Sequence, residues 1–292
     1  MSTLSGIFAC LLLTTSLLAG LGQNVAAKPK PKKLVKIWES DSTLRVPESV
    51  LYDRAANIVY VTNIDGKPDA LDGNGFISQM TTDGKITNLH WATGLNAPKG
   101  MGLYRDKLYV TDVYRLVEIN TATGQVEKTY DAVDPKNSFL NDVTVANDGT
   151  VYVTDNRFDK LYRLKDGNWE IFMAGEQLNR PNGVLAEGKS SLLLGSTKTG
   201  ALRRLDLATR AMTTLADGMG NTDGIVTDGK AGYFVSDWNG QLFYIPKNGE
   251  KQSLLDTRGD KINSADITYI KQGNLLLVPT FSRNTVVAYR VE

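Results

Sequence analysis

The chain is built from a repeat of strand-like segments. In each unit two alternating apolar segments are joined by a short turn, and two further alternating segments follow, as in "KLYRL" and "WEIFM". Six units can be aligned on the residue that opens the first segment, and these residues are Glu48, Lys99, Asn141, Asn182, Asp223 and Ala265. The spacings between them are 51, 42, 41, 41 and 42 residues. No segment has sustained helical periodicity. Units of four short strands, repeated about every 40–50 residues, are typical of propeller blades. The sequence therefore predicts an all-β, six-bladed β-propeller.

The two ends of the chain predict how this ring closes. The sixth unit has only three strand-like segments, "ADITYI", "NLLLVPTF" and "NTVVAYRV", before the sequence stops. An unassigned strand, "KLVKIWE" (33–39), stands just before the first unit. Pairing it with the sixth unit would complete that blade and remove two exposed sheet edges. We therefore expect residues 34–292 to form one propeller, with 34–40 as the outer strand of its last blade.

The N-terminus is typical of a targeting segment. Residues 6–22 are apolar, uncharged and short for a membrane span, and "NVAA" offers small residues for cleavage after Ala27. The positively charged start usual in such segments is missing. We predict a signal peptide over 1–27, a basic linker over 28–33 and a periplasmic or secreted protein, with an uncleaved anchor or a cytosolic chain as alternatives. The single cysteine, Cys10, lies in this segment, so the mature chain would have no disulfide or thiolate site.

The charge of the chain gives no indication of a nucleic-acid partner. The formal net charge is +1, so no basic field suggests nucleic acid. We expect a monomer that binds a small substrate and has no stable membrane span after cleavage.

Polar residues open most of the predicted inner strands. Because the first strand of each blade is innermost, these residues should converge at one mouth of the axial channel. Two carboxylates ~5 Å apart repel by ~3 kcal/mol at an effective dielectric near 20, and a hard cation would remove that cost. Carboxylates and Asn carbonyls are ligands of the kind that Ca²⁺ prefers. The pattern therefore favours a functional role for this inner ring.

A second ring should surround the first, because the second strands end at the same face. Its members are Asn63, Asp112, Asp155, Ser196, Asp237 and Thr280. Asp and Asn side chains at such positions commonly hydrogen-bond turn backbone. We interpret the aspartates of the "VTD" and "VSD" motifs as structural.

The inner ring resembles a known family. Glu in "PES", Asn in "LND", Asn in "PNG" and Asp in "TDG", with one blade skipped, are similar to the senescence marker protein/regucalcin and gluconolactonase family of calcium propellers. Paraoxonases, diisopropyl-fluorophosphatase and strictosidine synthase are more distant relatives. The resemblance covers roughly residues 34–292. It implies that Glu48, Asn141, Asn182 and Asp223 hold a divalent cation, most simply Ca²⁺, and that the protein opens a lactone or ester.

The sequence also departs from this family. Gluconolactonase-type members have an arginine two residues before the first ligand asparagine, where this chain has Phe139. The first histidine of the paraoxonase dyad corresponds to Lys99, and the second would fall near Val113. The only histidine, His90, lies in a predicted outer strand and is interpreted as structural. The substrate and the general base therefore stay open.

Lys99 has three possible roles in this ring. It could anchor the substrate, act as a general base with a lowered pKa, or pair with Glu48 and Asp223 and so replace the metal. We predict Asp223 and Lys99 as catalytic residues, with Lys99, Asp142 and Trp238 contacting substrate. Asp142 or Asp155 could relay a proton.

Three classes of function follow. The resemblance favours an exported metal-dependent hydrolase of a small lactone or ester. The alternative is a non-catalytic propeller that binds a small ligand or a protein, because fold alone does not decide function. A carbon–nitrogen condensing enzyme ranks last, since no glutamate base in an apolar pocket stands out. The loop 63–75 should form a rim at the same mouth.

Overall fold

A computed structural model describes residues 31–230, 232–247 and 250–292. These residues form 24 strands in six four-stranded antiparallel sheets, with four short 3-10 turns. The predicted signal peptide, 1–27, and residues 28–30 of the predicted linker lie outside the described residues. Within the described ranges, no helix is long and apolar enough to cross a membrane.

The strands follow one another with short connections. The first twelve are β1 (Leu34–Glu39), β2 (Pro47–Asp53), β3 (Ile58–Asn63), β4 (Gly75–Met80), β5 (Ile86–Leu95), β6 (Pro98–Tyr104), β7 (Lys107–Asp112), β8 (Arg115–Asn120), β9 (Val126–Asp131), β10 (Leu140–Val145), β11 (Val151–Asp155) and β12 (Lys160–Lys165). The other twelve are β13 (Asn168–Ala174), β14 (Pro181–Glu187), β15 (Ser191–Ser196), β16 (Leu202–Asp206), β17 (Met212–Ala216), β18 (Thr222–Thr227), β19 (Gly232–Asp237), β20 (Gln241–Pro246), β21 (Gln252–Asp256), β22 (Thr268–Ile270), β23 (Leu275–Pro279) and β24 (Val286–Val291). The 3-10 turns are Pro135–Asn137, Glu176–Leu178, Arg258–Asp260 and Phe281–Arg283.

The sheets are the six predicted blades. Blades 1 to 5 are β2–β5, β6–β9, β10–β13, β14–β17 and β18–β21, and blade 6 has the order β22-β23-β24-β1. The inner strands β2, β6, β10, β14, β18 and β22 contact one another in turn around the axis, and β22 contacts β2. The predicted six-bladed propeller is confirmed.

The ring closes through its N-terminal strand. β1 pairs antiparallel with β24, from Leu34↔Val291 to Glu39↔Val287. The backbone of Lys33 extends this pairing, because it exchanges hydrogen bonds of 3.0 and 2.9 Å with Glu292. The predicted closure by residues 34–40 is therefore confirmed.

The hydrophobic core lies between neighbouring blades. Strand β3 shows why the sequence alternates: Val59 and Val61 pack against blade 6, whereas Tyr60 packs against blade 2. Successive side chains of a strand point to opposite faces, so each blade buries apolar residues on both sides. Burial on both sides stabilises each blade only in the presence of its neighbours.

Hydroxyl groups of the "VT" and "VS" motifs join three of the blades to the next one. Thr154 Oγ1 donates a hydrogen bond of 2.7 Å to the backbone carbonyl of Asn182, and Ser236 Oγ donates one of 2.8 Å to that of Ala265. Thr111 Oγ1 makes the same bond to the Asn141 carbonyl. These hydroxyls therefore position the residues that begin the next inner strand.

The aspartates of the same motifs hold the loops at the channel mouth. Asp112 Oδ1 accepts hydrogen bonds of 2.8 Å from the backbone N–H groups of Asn96 and Ala97. Asp237 Oδ1 accepts one of 2.8 Å from the Asn221 N–H. These contacts agree with the structural interpretation of the second ring.

Candidate functional site

A β-bulge opens five of the six inner strands. In β2, Pro47 pairs with Asn63 and the next pair is Val50 with Val61, so three steps along β2 match two along β3. The same shift opens β6, β10, β14 and β18. Bulges re-aim side chains and are common beside active sites. The residues predicted to converge are the second residues of these strands, within the bulge.

All four predicted metal ligands are buried. Glu48, Asn141, Asn182 and Asp223 are 5%, 7%, 6% and 1% exposed. Asn182 Nδ2 donates a hydrogen bond of 2.9 Å to Asp223 Oδ1, so these two side chains are in contact.

Three of these side chains carry a buried oxygen without a hydrogen-bond donor among the described residues. The atoms are Glu48 Oε2, Asn141 Oδ1 and Asn182 Oδ1. A buried acceptor left without a partner costs about 1–3 kcal/mol. Three such oxygens, on the inner strands β2, β10 and β14 around one axis, are suited to a shared cation, because oxygen ligands fit a hard cation.

The carboxyl groups of the ring repel one another. Burial, then Asp142 and Asp266, raise the pKa of Glu48 well above its usual value, and Lys99 partly opposes this. Burial, then Glu48 and Asp266, raise the pKa of Asp223 well above its usual value. A bound cation would favour the ionised forms.

The proposed donor set contains few acids. The described residues contain no metal-holding group of three or more His, Cys, Asp or Glu side chains. The four oxygen donors here are two carboxylates and two carboxamides, and that mixture is suited to Ca²⁺. The residues present therefore fit the cation that the resemblance implies.

Lys99 is buried beside this ring without a close acid. Its Nζ donates a hydrogen bond of 3.0 Å to the Ala97 carbonyl and lies 4.5 Å from the centroid of the Phe139 ring. None of the ion pairs within 4.0 Å in the described ranges includes Lys99. Burial lowers the pKa of Lys99 to about 8, although Glu48 and Asp112 oppose the shift. The geometry thus gives no support to a salt bridge that replaces the metal.

Asp142 lies one residue beyond Asn141 and lines a cavity further along the inner strands. The cavity has a volume of ≈ 550 Å³, is formed by the later residues of the inner strands and is also lined by Asp266. Asp142 Oδ1 is buried without a partner among the described residues. Burial, then Asp266 and Asp223, raise the pKa of Asp142 well above its usual value. No ion pair within 4.0 Å joins Asp142 to Lys99 in the described ranges, and the contact of Asp142 with substrate stays a prediction.

Asp266 was not identified from the sequence. Ser49 Oγ donates a hydrogen bond of 2.6 Å to Asp266 Oδ2, and burial raises the pKa of Asp266 to about 7. Asp266 follows Ala265 in the repeat as Asp142 follows Asn141. The same alignment, read one position further, would have shown it.

Glycine at this next position allows the inner strands to meet. A Cβ on Gly183 would lie 1.9 Å from the backbone oxygen of Asp223, and one on Gly100 would lie 2.5 Å from the Asp142 Cα. No side chain fits there without movement of the backbone. The "NG" of "PNG" therefore combines a predicted ligand with the close approach that brings the next one near.

The other predicted residues lie at the mouth or at the periphery. Trp238 is half-buried at the mouth and packs edge-on against Phe281, with ring centroids 5.4 Å apart. Asp155 Oδ1 accepts hydrogen bonds from backbone N–H groups, and burial raises its pKa. His90 is exposed in the outer strand β5, against Phe76, so its predicted peripheral position is confirmed.

Arg157 was also missed by sequence reasoning. Its guanidinium carbon lies 3.8 Å from the centroid of the Phe139 ring, and both terminal nitrogens lie 3.2 Å from Asp69 Oδ2. Phe139 stands where gluconolactonase-type members have arginine. A guanidinium therefore reaches that position from the turn after β11, a contact that no local motif signals.

Four bulky or β-branched residues at the same mouth have a strained backbone. Val46, Val113, Arg180 and Phe281 have positive φ values of 49°, 59°, 55° and 50°. The left-handed region is unfavourable for bulky and β-branched residues and persists where the surroundings over-determine it. Each lies one or two residues from a position of the inner or second ring.

Comparison with known proteins agrees with the fold. The chain is similar to virginiamycin B lyase from Staphylococcus aureus, whose solved structure is of a catalytically inactive form with quinupristin. The two are 14% identical, the match covers 89% of this chain and 99% of the other, and the TM-score is 0.61. A streptogramin B lyase is 13% identical, covers 90% and 98% of the two chains and has a TM-score of 0.64. A chain of a nidogen/laminin complex is 19% identical over 72% and 80%, with a TM-score of 0.58. At these identities the likeness shows the fold alone.

Sequence comparison gives the family. No curated protein matches the chain. The model of the SMP-30/Gluconolactonase/LRE-like region matches residues 46–257, which include all four predicted ligands. Proteins of this family are generally metal-dependent. The chain therefore belongs to the SMP-30/gluconolactonase/LRE-like family.

Proposed function

We propose that this protein is an exported, metal-dependent hydrolase that opens a small lactone or ester at the channel mouth. The observation that carries the proposal is the set of three buried oxygens without donors, on Glu48, Asn141 and Asn182. Together with Asp223 they would hold one divalent cation, and Ca²⁺ suits this mixture of carboxylates and carboxamides. When bound, the cation supplies carbonyl polarisation and stabilisation of negative charge.

The protein supplies orientation and proton transfer. Asn182 Nδ2 orients Asp223 through its 2.9 Å hydrogen bond to Oδ1. Burial, then Glu48 and Asp266, raise the pKa of Asp223 in the metal-free protein, and a bound cation would favour the ionised form, which can accept a proton. We assign Asp223 as the base that accepts a proton from the attacking water.

Lys99 would supply a positive charge beside the candidate metal ring. It is 2% exposed and its pKa is about 8, so its ammonium form predominates at neutral pH. A buried ammonium without a carboxylate partner can hold an oxygen of the substrate. We assign Lys99 as the substrate anchor, with general-base catalysis as the alternative role.

The test is a hydrolysis screen of lactones and aryl esters, with and without chelator. We expect activity that requires about one equivalent of divalent cation and falls at least ~10²-fold in Asp223→Ala. Asp148→Ala is the control, because Asp148 is an exposed acid in a turn between strands, 3.9 Å from Lys165. Activity unchanged by chelator would overturn metal dependence. Metal-loaded protein that hydrolyses nothing in the panel, yet binds a ligand in the channel, would favour the non-catalytic alternative.

A further inference from the structure

Two cationic side chains meet on one aromatic ring at the channel mouth. The Phe139 ring contacts Lys99 Nζ at 4.5 Å and the Arg157 guanidinium carbon at 3.8 Å. We call these three residues the cation clamp. Both contacts are within the range of cation–π attraction. The clamp combines a buried charge from blade 2 with an exposed charge from blade 3.

The two charges of the clamp repel each other. Arg157 contributes to lowering the pKa of Lys99, so the two cations interact directly. Lys99 has no carboxylate within 4.0 Å in the described part of the chain, and its hydrogen bond goes to a neutral carbonyl. Glu48, Asp112 and Asp69 oppose this repulsion only from beyond ion-pair distance of Lys99, so an anion placed beside both cations would relieve it further.

An acid from another blade already occupies the outer side of the clamp. Asp69 belongs to the loop between β3 and β4 of blade 1, and its Oδ2 lies 3.2 Å from both terminal nitrogens of Arg157. The side chains of Arg157 and Asp69 are 45% and 50% exposed. Ion pairs this exposed contribute little net stability, so a ligand can break this one. The group that Asp69 offers to Arg157 is a carboxylate, which is also the group that an organic-acid ligand would offer.

We propose that the cation clamp binds a carboxylate on the substrate, and that Asp69 competes with it for Arg157. The protein would then act on lactones or esters that carry an additional carboxylate. This inference rests on the proposed function, because it names the substrate class of the same site. Asp69 would pair with Arg157 only while no substrate carboxylate is bound, and it would release Arg157 when that carboxylate binds.

The position of Lys99 would hold the substrate carboxylate close to the candidate metal ring. Lys99 is the second residue of β6, in the bulge position that Glu48 and Asn141 occupy in the two flanking blades. A carboxylate held by Lys99 and Arg157 thus lies at the edge of the candidate metal ring. The rest of a small substrate can reach the ring itself.

Calorimetry with matched ligands tests the inference without requiring turnover. The probes are two pairs that differ in one carboxylate: glucarate against gluconate, and terephthalate against benzoate. Each is titrated into the full-length mature protein with about one equivalent of Ca²⁺. We expect the additional carboxylate to tighten binding about tenfold or more in at least one pair, since charge-assisted hydrogen bonds contribute that much.

Two substitutions then separate binding from structural support. Arg157→Ala should abolish most of the advantage of the additional carboxylate. Asp69→Asn should increase that advantage about threefold, because it removes the competing charge and keeps the shape of the side chain. Arg290→Ala is the matched control, since Arg290 is a similarly exposed arginine, paired with Glu292 at 3.1 Å on β24, and it should change nothing.

Two outcomes would overturn the inference. One is the absence of any advantage for the additional carboxylate in both pairs. The other is an Asp69→Asn protein that loses affinity as Arg157→Ala does, because the ion pair would then merely hold the loop. Arg157-dependent binding of the dicarboxylates, combined with a screen in which the metal-loaded protein hydrolyses no lactone or ester, would overturn the proposed function and leave the clamp in place, so the two failures are distinguishable.

Discussion

Asn182 donates a hydrogen bond of 2.9 Å from Nδ2 to Asp223 Oδ1, while its own Oδ1 stays buried without a donor in the described structure. This bond fixes which side of the carboxamide is available. The amide nitrogen is committed to the neighbouring carboxylate, so the amide oxygen is the atom that Asn182 can offer to a cation.

The first prediction concerns this pair. Asp223→Asn should weaken Ca²⁺ binding at least ~10-fold, because it removes a charged ligand from the set. Calcium titration by calorimetry measures the change, and the increase in melting temperature on adding Ca²⁺ should shrink with it. Asp148→Asn should keep both properties. Equal calcium affinity in the two variants would contradict the proposed ligand set.

The second prediction concerns the pH dependence of substrate binding. The pKa of Lys99 is lowered to about 8, so its ammonium form is lost as the pH rises through that value. If Lys99 is the anchor, KM rises above pH ~8 while kcat stays level, and Lys99→Ala raises KM chiefly. A kcat that instead increases through pH ~8 and collapses in Lys99→Ala would identify Lys99 as the base.

The third prediction concerns the stability of the metal-free protein. Burial raises the pKa of Asp266 from 3.8 to about 7, so between these values the folded state binds a proton that the unfolded state has released. The free energy of unfolding should therefore decrease as the pH rises from about 4 to about 7. Urea unfolding in chelator measures this slope. Asp266→Asn should make the slope less negative, and equal slopes in the two proteins would show that Asp266 is not perturbed.

The fourth prediction concerns ring closure. Deleting residues 28–40 removes β1, whose backbone pairs with β24 and whose Trp38 packs against the core between blades 1 and 6. We expect the free energy of unfolding to fall by at least ~3 kcal/mol, because the deletion exposes a sheet edge and buried side chains. Deleting only 1–27 is the control. Equal urea midpoints for the two deletions would refute a closing role for β1.

The fifth prediction concerns processing. The apolar segment and the "NVAA" that follows it predict cleavage after Ala27. The mature protein should begin at or near Lys28 and be recovered outside the cytoplasm. N-terminal sequencing of exported material tests the cleavage site, and soluble cytosolic protein that retains Met1 would contradict the prediction.

Much of this architecture could be predicted because it depends on local pattern. Alternation with period two identifies strands, and the spacing from Glu48 to Ala265 counts the blades. The three-strand sixth unit and the orphan strand at 33–39 then require closure, which the Leu34↔Val291 pairing confirms. Inner-strand position follows from chain order, so Asn141 and Asn182 could be placed on one ring.

Contacts between blades were decided only by the tertiary structure. Asn141 and Asp142 are adjacent, yet Asn141 belongs to the candidate metal ring and Asp142 lines the cavity of the later strand residues, because the bulge changes the direction of the side chains. The register of a bulge depends on the partner strand, which a single strand's sequence does not show. Arg157 meets Asp69 across 88 positions only because the ring brings two loops together. The sequence determined blades, closure and ring position, since these depend on periodicity. Folding decided the partners of Lys99 and Arg157, since those depend on distances between blades.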